Sequence, residues 1–110
     1  MIAQNTRLTC PDCGGAIERI QESTLVQFRC RVGHLYSPET ALIVHSDREE
    51  NILWSAVVIL EEGAELAEQI AGLPSSANAQ KLLDLAKAKR ALAERARQIA
   101  TQFPTTWKQS

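Results

Sequence analysis

The chain has 110 residues, is 45% hydrophobic, and carries twelve lysines and arginines against thirteen acidic residues, for a formal net charge of −1. Its longest apolar run, residues 52–60, is about half of the ~20 residues a membrane-spanning helix needs. Three cysteines, an odd number in a short chain, exclude a fully paired disulfide framework. With no charged leader followed by an apolar stretch, the sequence predicts a cytoplasmic protein whose thiols are kept reduced. The length suits one domain, or a small module with an extension. Its first third is poor in large apolar residues and would need a staple such as a metal.

The first informative stretch is "TCPDCGG", Thr9 to Gly15, which sets Cys10 and Cys13 two residues apart. Sixteen residues later "RCRVGH" sets Cys30 and His34 three residues apart. Each half has the form of a knuckle, a tight turn aiming two donors at one tetrahedral centre, with Gly14, Gly15 and Gly33 letting the backbone curl toward the sulfur. Thiolates are soft and imidazole is borderline, so one structural Zn2+ is the metal predicted for Cys10, Cys13, Cys30 and His34. Two other readings stand beside it. One is a redox Cys-x2-Cys with Cys30 as a small buried hydrophobe, though the β-α-β surroundings of such a motif are missing. The other is a catalytic zinc, which ordinarily keeps an open position that four good ligands would close.

Between the halves, the spacing predicts strands over 16–21 and 24–29 joined by a turn at Glu22 and Ser23, which brings the second knuckle beside the first. The result is a zinc ribbon over residues 1–36. "SPET" then reads as a helix start, with Ser37 as the cap and Pro38 at the first helical position. Unbroken, that helix would run to about Ala71, or ~51 Å at the usual rise. Ser46 with Glu49 makes a second capping-box pattern, so a short helix to about His45 and a long one from about Asp47 are expected, or one helix kinked there.

"AGLPSSA", Ala71 to Ala77, ends that segment, and a helix is predicted from about Ser76 to Phe103. Alanines recur every seven residues at Ala79, Ala86, Ala93 and Ala100, beside Leu82, Lys89, Ala96 and Phe103 and beside Leu85, Leu92 and Ile99. On the preceding helix Ile52, Ala56, Ile59, Leu66 and Ile70, with Gly63 among them, predict the facing seam of an antiparallel hairpin. Eight acidic residues and one basic lie between Glu39 and Glu68, against six basic and two acidic between Lys81 and Arg97. The complementarity favours pairing the helices, with Glu68 near Lys81 and Glu62 near Lys87. The expected fold is therefore α+β, mostly α: a ribbon over 1–36 and a helical hairpin over 37–110, packed as one compact unit.

Together "CPDCGG", "FRCRVGH" with its "YSPE" continuation and the "LWSAVVILEE" block around Trp54 resemble the C-terminal accessory region of some bacterial chemotaxis-type protein-glutamate methylesterases. The resemblance implies a metal-type motif at the same four positions and a place in receptor-linked signalling. The catalytic and receiver domains of those proteins have no counterpart here. An esterase of that type needs a serine, a histidine and an acid; the chain has no Gly-x-Ser-x-Gly, and only His34 and His45 as histidines, so no enzymatic activity is expected.

Nucleic acid is the alternative ligand for a zinc ribbon. Through Tyr36 the ribbon carries four arginines against three acidic residues, with only Phe28 and Tyr36 as stacking candidates, a weak footprint. The preferred expectation is a protein-interaction or regulatory module. Its candidate contact residues are Trp54, Val57, Val58 and Trp107, its partner a signalling protein or a second copy meeting it through the alanine-rich face around Lys89.

Overall fold

The computed structural model describes residues 1–104; the candidate contact residue Trp107 lies outside the described residues. Four strands, β1 (Ile2–Thr9), β2 (Ala16–Glu22), β3 (Leu25–Cys30) and β4 (Leu35–Tyr36), precede two helices, α1 (Pro38–Ala71) and α2 (Ala79–Thr101). The class is α+β and mostly α, as expected. The chain divides into two compact units, residues 1–48 and 49–110, so the boundary falls inside α1 rather than at residue 36. The reason lies in the first turns of α1, where Ala41 packs against the ribbon's core.

In the first unit the strands form an antiparallel meander in the order β1-β2-β3-β4. The central hairpin pairs Ile17 with Cys30 and Glu22 with Leu25, closed by Ser23 and Thr24. Ser23 has φ 56°, the left-handed backbone that a two-residue hairpin turn demands. Strand β1 was not foreseen. Its sequence "IAQNTRLT" lacks alternation, and its register against β2 slips between Asn5 and Thr9. Inside that irregularity Thr6 Oγ1 donates to the Ile17 carbonyl at 2.8 Å and accepts from the Leu8 amide at 3.1 Å, replacing ladder bonds with side-chain bonds. Buried Cys10, Ile17, Cys30 and Tyr36 form the core, with Phe28 and Ala41 packed on it. Two of those four are thiols, so the core is small.

Helix α1 begins as its sequence indicates: the Ser37 hydroxyl accepts from the Thr40 amide at 3.2 Å. It does not divide at Ser46. One helix spans Pro38–Ala71, because a capping-box pattern offers an alternative to the helical ladder without breaking it, and neither proline nor glycine stands near Ser46.

In the second unit the small residues do the packing. Ala64, Ala67 and Ala86 form a buried cluster, and Val57, Ala93 and Ala100 are likewise 2–3% exposed. The alanine repeat of α2 is the seam, as expected. On α1 the expectation is corrected: Ile52, Ile59, Leu66 and Ile70 are exposed, and the seam runs through Val57, Ala64 and Ala67 instead. The small side chains of an alanine stripe make a narrow seam, and the larger isoleucines and leucines fall outside it. Ion pairs close one edge: Arg90 with Glu68 at 2.6 Å, and Arg97 with Glu61. These replace the pairs expected with Lys81 and Lys87, because residues 72–78 separate the helices and shift α2 along α1.

Two substitutions test this seam. A Cβ on Gly63 would meet the Lys89 Nζ at 3.0 Å and Cδ at 3.3 Å, the far end of a flexible side chain that can move aside. Gly63→Ala is therefore expected to raise stability by roughly 0.5–1 kcal/mol through helix propensity. Ala93→Leu, at 2% exposure, is expected to lower it by about 1–3 kcal/mol through overpacking. Urea denaturation read by helical circular dichroism checks both.

Candidate metal centre

Four donors meet at one end of the sheet. Cys10 follows β1, Cys13 lies in the turn before β2, Cys30 is the last residue of β3, and His34 directly precedes β4. The two turns are built alike. The Cys10 amide donates to the Gly15 carbonyl at 2.7 Å and the Gly14 amide to Cys10 at 2.8 Å; the Cys30 amide donates to His34 at 3.0 Å and the Gly33 amide to Cys30 at 3.1 Å. Gly14 (φ 74°) and Gly33 (φ 98°) hold backbone conformations that a side chain disfavours. The second turn also aims the His34 amide at the Cys30 sulfur, at 3.3 Å.

All four donor atoms lie within 4.8 Å of one another. Cys13 Sγ is 3.6 Å from Cys30 Sγ, and His34 Nδ1 is 3.6 Å from Cys10 Sγ and 3.2 Å from Cys30 Sγ. Around an ion at zinc-ligand distances, a tetrahedron has edges of about 3.8 Å between sulfurs and about 3.6 Å between sulfur and nitrogen. The residues present fit a metal ion. Among the described residues this cluster is the one group of histidine, cysteine and acidic donors placed to hold one.

The electrostatics divide the four donors, two thiols being lowered and the third thiol and the imidazole raised. Burial acts to raise the Cys10 thiol, but the adjoining Tyr36 hydroxyl and the Asp12 and Cys13 backbone outweigh it and bring its pKa down to about 6. At Cys30 burial is likewise outweighed, by backbone hydrogen bonds from His34 and Val32, and the thiol is lowered. The Cys13 thiol is raised: a backbone bond from Gly15 opposes, but burial and the neighbouring thiols prevail. His34 is raised by hydrogen bonds to Cys30 and then Cys10. Adjacent thiolates are mutually unfavourable, and a bound cation removes the conflict.

The four residues that sequence reasoning grouped do lie together, but that reasoning missed what orients them. The Tyr36 hydroxyl lies 3.3 Å from Cys10 Sγ and donates to Asp12 Oδ2. Asp12 and buried Tyr36 thus form an outer layer that fixes Cys10, the kind of support metal sites generally need. An acid between the two cysteines of "CPDC" was the available signal. Of the expected contact residues, Trp54 (37%) and Val58 (55%) are exposed, whereas Val57 is 2% exposed and belongs to the hairpin seam. Burial therefore removes Val57 from the candidate surface.

No protein-family model, curated protein or solved structure matches the chain. Among the described residues, no helix is long and apolar enough to cross a membrane.

Tyr36→Phe is expected to preserve the fold while weakening metal retention about 10- to 100-fold, through loss of the hydroxyl at Cys10. Competition with a chromophoric chelator measures it, and an unchanged affinity would deny Tyr36 its orienting part.

Proposed function

We propose that the protein is a non-catalytic interaction module of a cytoplasmic signalling system, its ribbon held by one structural Zn2+. The observation that carries the reading is the convergence of Cys10, Cys13, Cys30 and His34 on one point, at spacings that suit a tetrahedral ion. Three thiolates and one imidazole make a soft donor set for which zinc is well suited. Four protein donors complete the coordination shell and leave no position for substrate, which supports a structural rather than a catalytic ion. All three thiols are free rather than disulfide-bonded, consistent with a reducing compartment.

The zinc supplies folding energy and no reaction step. Its ribbon core comprises two cysteines, one isoleucine and one tyrosine, too little apolar surface to order four strands unaided. What the module offers to its surroundings is the exposed apolar side chains of its helices, among them Trp54 and Val58. The signalling assignment is supported by the likeness of "CPDCGG", "FRCRVGHLYSPE" and "LWSAVVILEE" to the accessory region of chemotaxis methylesterases. Two of the basic side chains that could serve nucleic acid, Arg90 and Arg97, are instead paired with Glu68 and Glu61.

Protein purified without added metal is expected to carry about one zinc per chain by elemental analysis. Exchange of that zinc for Co2+ should give the intense ligand-field spectrum of a tetrahedral thiolate site, unchanged by added azide. Cys30→Ser should release the metal and strip amide protection from residues 1–48. Metal-free protein with titratable thiols, or a cobalt spectrum that shifts with azide, would overturn the closed structural site.

A further inference from the structure

Among the described residues, the second unit leaves an apolar face uncovered. Ile52, Ile59 and Leu66 are 57%, 66% and 60% exposed, and Leu85, Leu92 and Ile99 are 47%, 48% and 55% exposed. Each trio repeats every seven residues, so each makes one stripe along its helix. The two stripes share one face of the hairpin. Lys89 lies over Gly63, its ammonium 3.0 Å from where a Cβ on that glycine would stand, and lines a recess with Ile59 and Leu66. Ile59 and Leu66 stand four before and three after Gly63; Leu85 and Leu92 stand four before and three after Lys89. Residues at those offsets are surface neighbours on a helix, so both stripes flank the Gly63–Lys89 crossing. The ion pairs of Arg90 and Arg97 lie along the other edge.

Six such side chains leave on the order of 600 Å² of apolar surface, at the top of the ~300–600 Å² range for the largest patch on a typical monomer. With a polar rim added, that approaches the ~800 Å² each partner contributes to a standard interface. The charge pattern says what fits it. Outside the ion pairs of Arg90 and Arg97, α1 still offers Glu62 and Glu65, and α2 offers Lys81, Lys87, Lys89 and Arg95 against Asp84. The face is thus self-complementary: one edge attracts the other edge of an identical face.

We infer that this face binds a second copy of the chain, the two hairpins stacking face to face as an antiparallel four-helix bundle. The inference names the partner of the interaction module proposed above, and rests on that reading. Attraction of acidic for basic helix sets α1 of each chain against α2 of the other, which places the two-fold axis along the helices. A two-fold in that direction keeps every residue at its own level. Lys89 lies level with Gly63, and therefore faces Glu62 and Gly63 of the other chain. Neither Lys89 nor Glu62 has an ion-pair partner of its own among the described residues. The alanine face once expected to pair the chains is spent inside the hairpin.

Sedimentation equilibrium of the full, zinc-loaded chain tests the inference. The expected mass is twice 12.1 kDa, dissociating on dilution. Leu92→Ser and Ile59→Ser should each weaken the dimer about tenfold or more, as truncation of a central interface side chain does. Lys89→Glu should weaken it too, and adding Glu62→Lys to that variant should restore most of the loss. Leu83→Ser, seven residues before Arg90 on the ion-paired edge and off both stripes, should change nothing. Helical circular dichroism and zinc content confirm that each variant is folded. A monomeric mass at every concentration up to ~100 μM, well above the dissociation constants typical of specific interfaces, overturns the inference. So does a dimer indifferent to Leu92, Ile59 and the charge swap. A zinc-bound monomer would leave the structural-zinc reading intact and give the face to a different protein; zinc-free protein would defeat that reading whatever its mass.

Discussion

Everything in the first unit depends on bringing three sulfurs and one imidazole nitrogen to within 4.8 Å of one another. Each sulfur reaches the point only because its turn is fixed by backbone hydrogen bonds, and both turns hold a glycine at positive φ. The meander follows from the same constraint. Strands β2 and β3 must pair so that Ile17 stands opposite Cys30, which carries the second knuckle to the first. A cation at the centre resolves the repulsion among thiolates that the geometry otherwise creates, and in the proposed reading zinc serves as that cation.

The second unit reaches order by a different route. Alanines form its seam, and burying an alanine contributes little beyond one methyl, about 0.8 kcal/mol per carbon at most. Beside that seam Arg90 pairs with Glu68 and Arg97 with Glu61. The consequence is a surplus. Large side chains that would fill a wider interface are pushed to the outside, where Ile59 and Leu66 remain more than half exposed. In the proposed reading, that outer face is where the interaction module does its binding.

The parts that were legible in the sequence are those set by short-range chemistry. Cys-x2-Cys and Cys-x3-His declared four donors, Ser37 and Pro38 declared the start of α1, and "AGLPSSA" declared its end. Strand β1 was not legible, because it pairs through the Thr6 side chain at a slipped register and carries no alternation of its own. The seam of α1 misled for a physical reason: periodicity identifies an apolar stripe but not which neighbour it faces, and the alanine repeat of α2 selected the narrower stripe at Val57 and Ala64. At the metal centre, the thiols and imidazole announced themselves by spacing. Tyr36 did not, since it meets Cys10 and Asp12 only after β4 has folded back beside β3.

The most direct test of the central claim is X-ray absorption at the metal edge of protein purified without added metal. A closed site formed by Cys10, Cys13, Cys30 and His34 predicts a zinc edge with three sulfur scatterers at about 2.3 Å and one nitrogen at about 2.0–2.1 Å. A shell of oxygen and nitrogen alone, or no metal edge at all, would contradict it.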